Sequence, residues 1–356
     1  AKDEKLGKDA YAVAITRGIE WYFKGRFLIH SDWKAQWQKI DTLALPVGPP
    51  MDLSLRSGDG SLGIMEGHYS YVNPDGSQPY RYWLRADCTA EAAMAIAMGS
   101  NSSDTKKLKV AENLLDLIFN TDAFKTPTSK DPGMTSYGLT GWANTRKARY
   151  YGDDNARVLL GAIMASQRLR TTKWDRQIVE LILANFRTSG EKGFRGNALS
   201  GDKLDETTWQ QLMKSQLENP APHYESWLWA IYLWLYDKTE YPALLEKAKR
   251  AIKITMDGYP DKWKWANGIQ QERARMILPL AWLVRVDDTE QHRDWLNRVC
   301  ADLLENQVAS GAIREELGSN DKGKYGAPTS NDKYGTNEAP VIHTNGDPVA
   351  DMLYTS

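Results

Sequence analysis

Two kinds of helix alternate along this chain, and that alternation restricts the fold more than any single motif does. One kind is amphipathic. "DTKKLKVAENLLDLIFN" (104–120) sets Leu108, Ala111, Leu115 and Ile118 at helical spacing with Lys and Glu opposite. "KWDRQIVELILANFR" (173–187), "YPALLEKAKRAIKITM" (241–256) and "DDTEQHRDWLNRVCADLLENQ" (287–307) follow the same rule. The other kind is apolar around most of its circumference: "ADCTAEAAMAIAM" (86–98), "NARVLLGAIMASQRL" (155–169), "ESWLWAIYLWLY" (225–236) and "ERARMILPLAWLV" (272–284). A helix apolar all round must be covered all round. The second kind therefore forms an inner layer and the first an outer one.

The links between them are asymmetric. Inner helices pass to outer ones through "GSNSS", "RTTK", "DKTE" and "RVDD", whereas outer helices pass to inner ones through 121–151, 188–221, 257–267 and 308–344. Short links join antiparallel neighbours, and long ones carry function. All inner-helix starts then lie at the end where the long loops gather. This predicts an all-α fold, an (α/α)6 toroid of the six-hairpin kind, spanning 1–356 as a single domain. Five hairpins are readable: 3–25 with 85–98, 104–120 with 152–169, 173–187 with 222–236, 241–256 with 268–285, and 288–308 with a start near 346. The last inner helix and a sixth hairpin are missing from that count, so the expectation is a ring truncated at its C-terminal end. In the loop before the first inner helix, "GIMEGHYSYVNPDGSQPYRYW" (63–83) alternates around the turn signal "NPDG" and predicts a small β-hairpin over the mouth, with Glu66 or Tyr71 reaching inward.

Composition narrows the partners. With 45 Lys and Arg against 46 Asp and Glu, no general attraction to nucleic acid or an anionic membrane is expected. No apolar run is long enough to predict a membrane span. Cys88 and Cys300 form no ligand cluster, no H-E-x-x-H pairs the histidines, and no G-x-G-x-x-G or P-loop occurs, so neither a metal nor another cofactor is expected. The chain has 14 Trp and 17 Tyr but 6 Phe, an excess of rings with a polar edge, as in clefts that stack pyranose faces.

The inner-helix starts hold the candidate chemistry. "RYWLRADCTAE" offers Arg85 and Asp87; "RYYGDDNAR" offers Tyr150, Tyr151, Asp153 and Asp154; "PHYESW" offers His223, Tyr224, Glu225 and Trp227; "WKWANGIQQER" offers Trp263, Trp265, Gln270 and Glu272; Asn345 and Asp347 open the fifth. Trp142, in a long loop, is a further stacking candidate. Carboxyl groups, an imidazole and rings at one mouth suit glycoside cleavage, in which one carboxyl protonates the leaving oxygen and another acts as base or nucleophile. Asp154, Glu225 and Asp153 are the catalytic candidates. Each has a plainer use: Asp87, Asp153 and Asp347 as helix caps, Glu225 as a partner of the helix dipole, Glu272 as a partner of Arg273 or Arg275, His223 as a core histidine.

"GIMEGHYSYVNPDGSQPYRYWLRADCTAEAAMAIA", "YYGDDNAR" and "GTNEAPVIHTNGDPVADMLYTS" resemble bacterial proteins of the six-hairpin glycosidase superfamily, nearest to glycoside hydrolase family 154. The resemblance spans most of 10–356. It implies a metal-independent enzyme, periplasmic or secreted, acting on glycans with β-glucuronidase-like activity. It also implies that the chain continues past "DMLYT". An acidic sugar would suit converging helix N-termini, with Arg85, Arg146 or Arg157 clamping its carboxylate. A polysaccharide lyase on the same toroid, with Tyr224 or His223 as base, and a non-catalytic glycan-binding protein are the alternatives. Oligomeric state is not legible.

Overall fold

The computed structural model describes residues 7–69, 72–266, 268–316 and 346. Tyr71, Asn345, Asp347 and the rest of the fifth inner start lie outside the described residues. The chain divides into two compact units. The first is Ala1–Thr126, Thr140–Lys147 and Arg157–Val179; the second is Pro127–Leu139, Ala148–Ala156 and Glu180–Ser356.

The first unit opens with α1 (Ala10–Lys24) and α2 (Lys34–Asp41). Three short strands follow, β1 (Val47–Gly48), β2 (Met65–His68) and β3 (Tyr80–Leu84), with β3 in the middle and both pairings antiparallel. β2 and β3 are the hairpin expected from the alternation around "NPDG"; β1, with Val47 opposite Arg81, was not foreseen. Then come α3 (Ala86–Gly99) and α4 (Thr105–Phe119). α3 packs on both α1 and α4. Its buried residues are mostly alanines (Ala86, Ala90, Ala92, Ala93, Ala97), small enough to let neighbouring backbones come close. α4 buries one stripe, Val110, Ala111, Leu114, Leu115 and Ile118, and turns its Lys and Glu outward.

α5 (Gly152–Leu169) gives its first turn to the second unit and the remainder to the first. It is followed by α6 (Asp175–Thr188) and, within the long loop, by two short helices, α7 (Gly201–Leu204) and α8 (Trp209–Met213). A two-stranded antiparallel ribbon, β4 (Arg149–Tyr151) with β5 (Ala198–Ser200), leads straight into α5.

The second unit shows the predicted alternation most plainly. α9 (Pro222–Thr239) is an inner helix, α10 (Pro242–Asp257) its outer partner, α11 (Ile269–Val286) the next inner helix and α12 (Glu290–Leu304) its outer partner. α9 packs on α10 and on α11, and α11 packs on α12. α9 buries Leu228, Trp229, Ala230, Ile231, Tyr232 and Leu233 in succession, which covers its whole circumference. Each such large apolar side chain contributes about 1.5–3 kcal/mol of burial. α12 buries only His292, Val299 and Leu303. The tight turn from α9 to α10 is made by Glu240 in the left-handed region (φ 54°), whose N–H reaches Tyr236 O, and Pro242 starts the next helix. Among the described residues no helix is long and apolar enough to cross a membrane.

Candidate active site

Three inner starts converge in the second unit, as the loop asymmetry requires. Gly152 begins α5 against the backbone carbonyl of Tyr224 on α9, so closely that a Cβ there would overlap it. Glycine is needed because of that close approach, and the approach brings Asp153 to His223. The His223 Nε2 lies 3.5 Å from Asp153 Oδ2, and its Nδ1 lies 3.8 Å from Glu272 Oε1 on α11. An imidazole thus stands between two carboxyl groups contributed by two other helices. One helical turn along α9, Trp227 is half-buried, and its ring is backed by the Arg275 guanidinium at 4.5 Å.

The starts of α9 and α11 lack capping residues of their own. Ala221 and Gly268 stand at the N-cap positions and have no side-chain acceptor. Carboxylates from elsewhere in the chain fill the role. Glu272 accepts the backbone N–H of His223, and Glu315 accepts that of Gln270 at 2.8 Å. Both capped amides are the second of their helix, the donor that a local cap would satisfy. Glu272 also accepts Ala266 N–H at 3.1 Å. Burial pushes the Glu272 carboxyl up to about 8, with the Glu315 charge adding to the rise and Arg275, with the backbone donors of Ala266 and His223, opposing it. Burial likewise raises Glu315 to about 7 against the donors of Gln270, Glu316 and Gln271.

Glu225 is 1% exposed and serves a different loop. Its Oε1 accepts from Gly196 N at 2.8 Å and Asn219 Nδ2 at 3.0 Å, and both oxygens lie 3.3 Å from Arg195 N. Burial holds its carboxyl near 7 despite those donors. Its geometry is that of a loop anchor. Arg195, which no sequence signal had marked, is itself buried, with its guanidinium on Asn185 Oδ1 and, at 3.4 Å, on Tyr150 O.

The remaining candidates divide. Asp154 is buried in the first turn of α5. Tyr150 is fully buried in a cluster with Leu139, Ala184 and Leu204, a core position rather than a sugar platform. Tyr151 is half-buried, with the Arg149 guanidinium 5.1 Å from its ring. Tyr224 packs edge-on to His223, ring centres 4.8 Å apart.

In the first unit, Arg85, Asp87 and Trp142 do come together, but in an ion-pair network. Arg85 forks onto Asp87 at 3.1 and 2.6 Å and reaches Glu66 at 2.8 Å. Arg157 meets Asp87 at 2.6 Å and grips Glu91 through two nitrogens at 2.7 and 2.6 Å. Arg81 pairs with Glu66 at 2.9 Å. Trp142 lies under the Arg85 guanidinium at 5.4 Å and beside Trp83 at 5.4 Å. The carboxylate clamp expected of Arg85 and Arg157 is therefore closed on the chain's own carboxylates. Arg146 donates to the neighbouring Thr145 O. Among the described residues no cluster of His, Cys, Asp and Glu has the form of a metal site.

No family model matches the chain, and no curated protein does. Solved structures do match. A D-mannose isomerase aligns with TM-score 0.54 at 12% identity, over 79% of this chain and 71% of that one. A cellobiose 2-epimerase from Spirochaeta thermophila aligns at 0.49 and 11%, over 88% and 75%. An inactive variant of an alpha-1,6-mannanase from a Salegentibacter species aligns at 0.43 and 10%, over 64% and 67%. At such identities the likeness is one of fold. The fold class is the mostly helical (α/α) toroid type with a small sheet, as the helix alternation predicts.

Proposed function

We propose that this chain is a carbohydrate-active enzyme that cleaves a glycosidic bond by acid–base catalysis at the shared mouth of α5, α9 and α11. The observation that carries the reading is the Asp153–His223–Glu272 line beside the half-exposed Trp227. Glycoside cleavage asks for a proton donor at the leaving oxygen and a second group as base or nucleophile. Asp153 and Asp154 supply adjacent carboxyl groups at the start of α5. His223 stands beside Asp153 as the group that would pass it a proton, and Trp227 supports the face of the sugar. Glu225 and Glu272 act behind this layer, holding a loop and the imidazole. The finer expectation of an acidic sugar keeps a glucuronide among the substrates to be tried. The family 154 resemblance supports the same trial.

A second reading has its own support. An imidazole between two carboxyl groups also suits proton transfer within a sugar, and the neighbour aligned at 0.54 is a D-mannose isomerase. One experiment separates the two. The protein is incubated with aryl glycosides, the glucuronide included, and separately with free aldoses, D-mannose included. Release of the aryl group, reduced at least ~100-fold in D153N with unchanged circular dichroism, is the result expected of the first reading. Ketose or epimer formation without glycoside cleavage selects the second. If neither substrate set turns over, both readings fail and a glycan-binding protein takes their place.

A further inference from the structure

Arg275 lies one turn after Glu272 on α11 and is 2% exposed. Four attachments converge on it. One guanidinium nitrogen donates to the His223 carbonyl at 3.0 Å, and the same nitrogen lies 4.0 Å from Asp153 Oδ2. The guanidinium plane covers the Trp227 ring at 4.5 Å, and the Arg275 carbonyl accepts from Ser226 Oγ at 3.3 Å. A lysine ammonium has neither the flat face to stack on indole nor the fork to serve a carbonyl and a carboxylate together. We propose that Arg275 is the positioning residue of this site: it holds the His223 backbone and the Trp227 ring in place beside Asp153, and its charge lowers the proton affinity of His223. This rests on the reading of Asp153 and His223 as the working pair.

Among the described residues, titratable groups face His223 from three helices. Asp153 faces it from α5, Glu272 and Arg275 from α11, and Tyr224 from its own helix. Arg195 acts on Asp153, and Glu315 acts on Glu272, at longer range. Arg275 is the nearby cation that most opposes the rise of the Glu272 carboxyl, so its charge is felt across the line. Removing that charge takes the nearby guanidinium from the imidazole while the Asp153 carboxyl stays beside it. The imidazolium is then favoured.

The test reads the histidine directly and needs no substrate. Histidine side-chain NMR titrations are recorded for wild type, R275Q and R275K, with H223N identifying the signal. R275Q is expected to move the His223 midpoint upward by about one unit. R275K, which keeps the charge, is expected to return most of that shift while altering Trp227 fluorescence, because the stacking is lost. A His223 midpoint that is the same in R275Q and wild type overturns the proposal, as does R275K displaced as far as R275Q. If R275Q does not fold, E272Q/R275Q removes the buried pair together. Its midpoint must then lie above that of E272Q alone, and equality overturns the proposal. Absence of glycoside or aldose turnover would strike the proposed function and leave this titration standing as its own result.

Discussion

The two units bury carboxyl groups at the same kind of place and satisfy them in opposite ways. On α3, Asp87 in the first turn is met by the guanidinium groups of Arg85 and Arg157. On α9 and α11, Glu225 and Glu272 in the first turn are met chiefly by backbone N–H groups. A guanidinium neutralises a carboxylate. An amide N–H only solvates it, and burial then lifts the proton affinity of the group towards neutrality. The difference separates a region of paired charges from one whose buried carboxyls are lifted to about 7 and 8.

The largest way to break the comparison is in the first unit. D87A strips the fully buried common partner from Arg85 and Arg157 and leaves each to its outer carboxylate, Glu66 for Arg85 and Glu91 for Arg157. A loss of about 3–5 kcal/mol is expected, with Tm lower by roughly 10 °C in a calorimetric scan. A loss under about 1 kcal/mol would mean the paired charges do not act as a network.

Next in size is the pH dependence that the second unit should impose. Glu272 sits near 8, and Glu225 and Glu315 near 7, against an ordinary 4.5. The folded form thus holds these protons more tightly than the unfolded chain does. The stability this contributes is whole below about 4.5 and is lost as pH rises through 7 to 8. Tm should fall by roughly 5 °C between pH 5.5 and 8.5. E272Q, an amide in place of a protonated carboxyl, should flatten that slope while matching wild type at the acid end. Lys247 works the other way. Burial lowers its ammonium to about 8, so its contribution is present above 10.5, is lost as pH falls through 8, and adds no slope below that.

The smallest expected effect tests the remote cap itself. Gly268 lies flush against the Glu315 carboxyl, and a Cβ there would overlap it. E315A should cost about 1 kcal/mol as a lost cap, and G268A a similar amount by displacing the same carboxyl. Because both remove one contact, E315A/G268A should cost little more than either change alone. Full additivity in urea unfolding would show that Glu315 does not act through the start of α11.

Much of this frame was legible in the chain. "ESWLWAIYLWLY" has no wet face, and α9 is an inner helix; "YPALLEKAKRAIKITM" has one, and α10 is an outer one. The starts of α5, α9 and α11 meet, as the long loops implied. What could not be read was who satisfies whom. Glu315 is far along the chain from the amide it caps, and no local pattern announces such a partner. The only trace is negative: Ala221 and Gly268 stand where Ser, Thr, Asp or Asn would serve, so the caps had to come from elsewhere. Glu225 drew notice for its flanking His223, Tyr224 and Trp227, but its oxygens turn to Arg195 and Gly196. Sequence adjacency on a helix says nothing about which way a side chain turns. Arg85 was marked for an external carboxylate because its direct partner Glu66 lies on β2, outside its own motif, and Arg157, which grips Glu91 and shares Asp87, comes from a different helix.

Glu272 caps the start of one helix through the His223 amide and, with the same carboxyl, stands 3.8 Å from the ring of that histidine. Selection therefore cannot retune that histidine through Glu272 without also loosening the helix that carries it. A change at Glu272 is felt twice, once in the setting of the imidazole and once in the start of the helix that carries it.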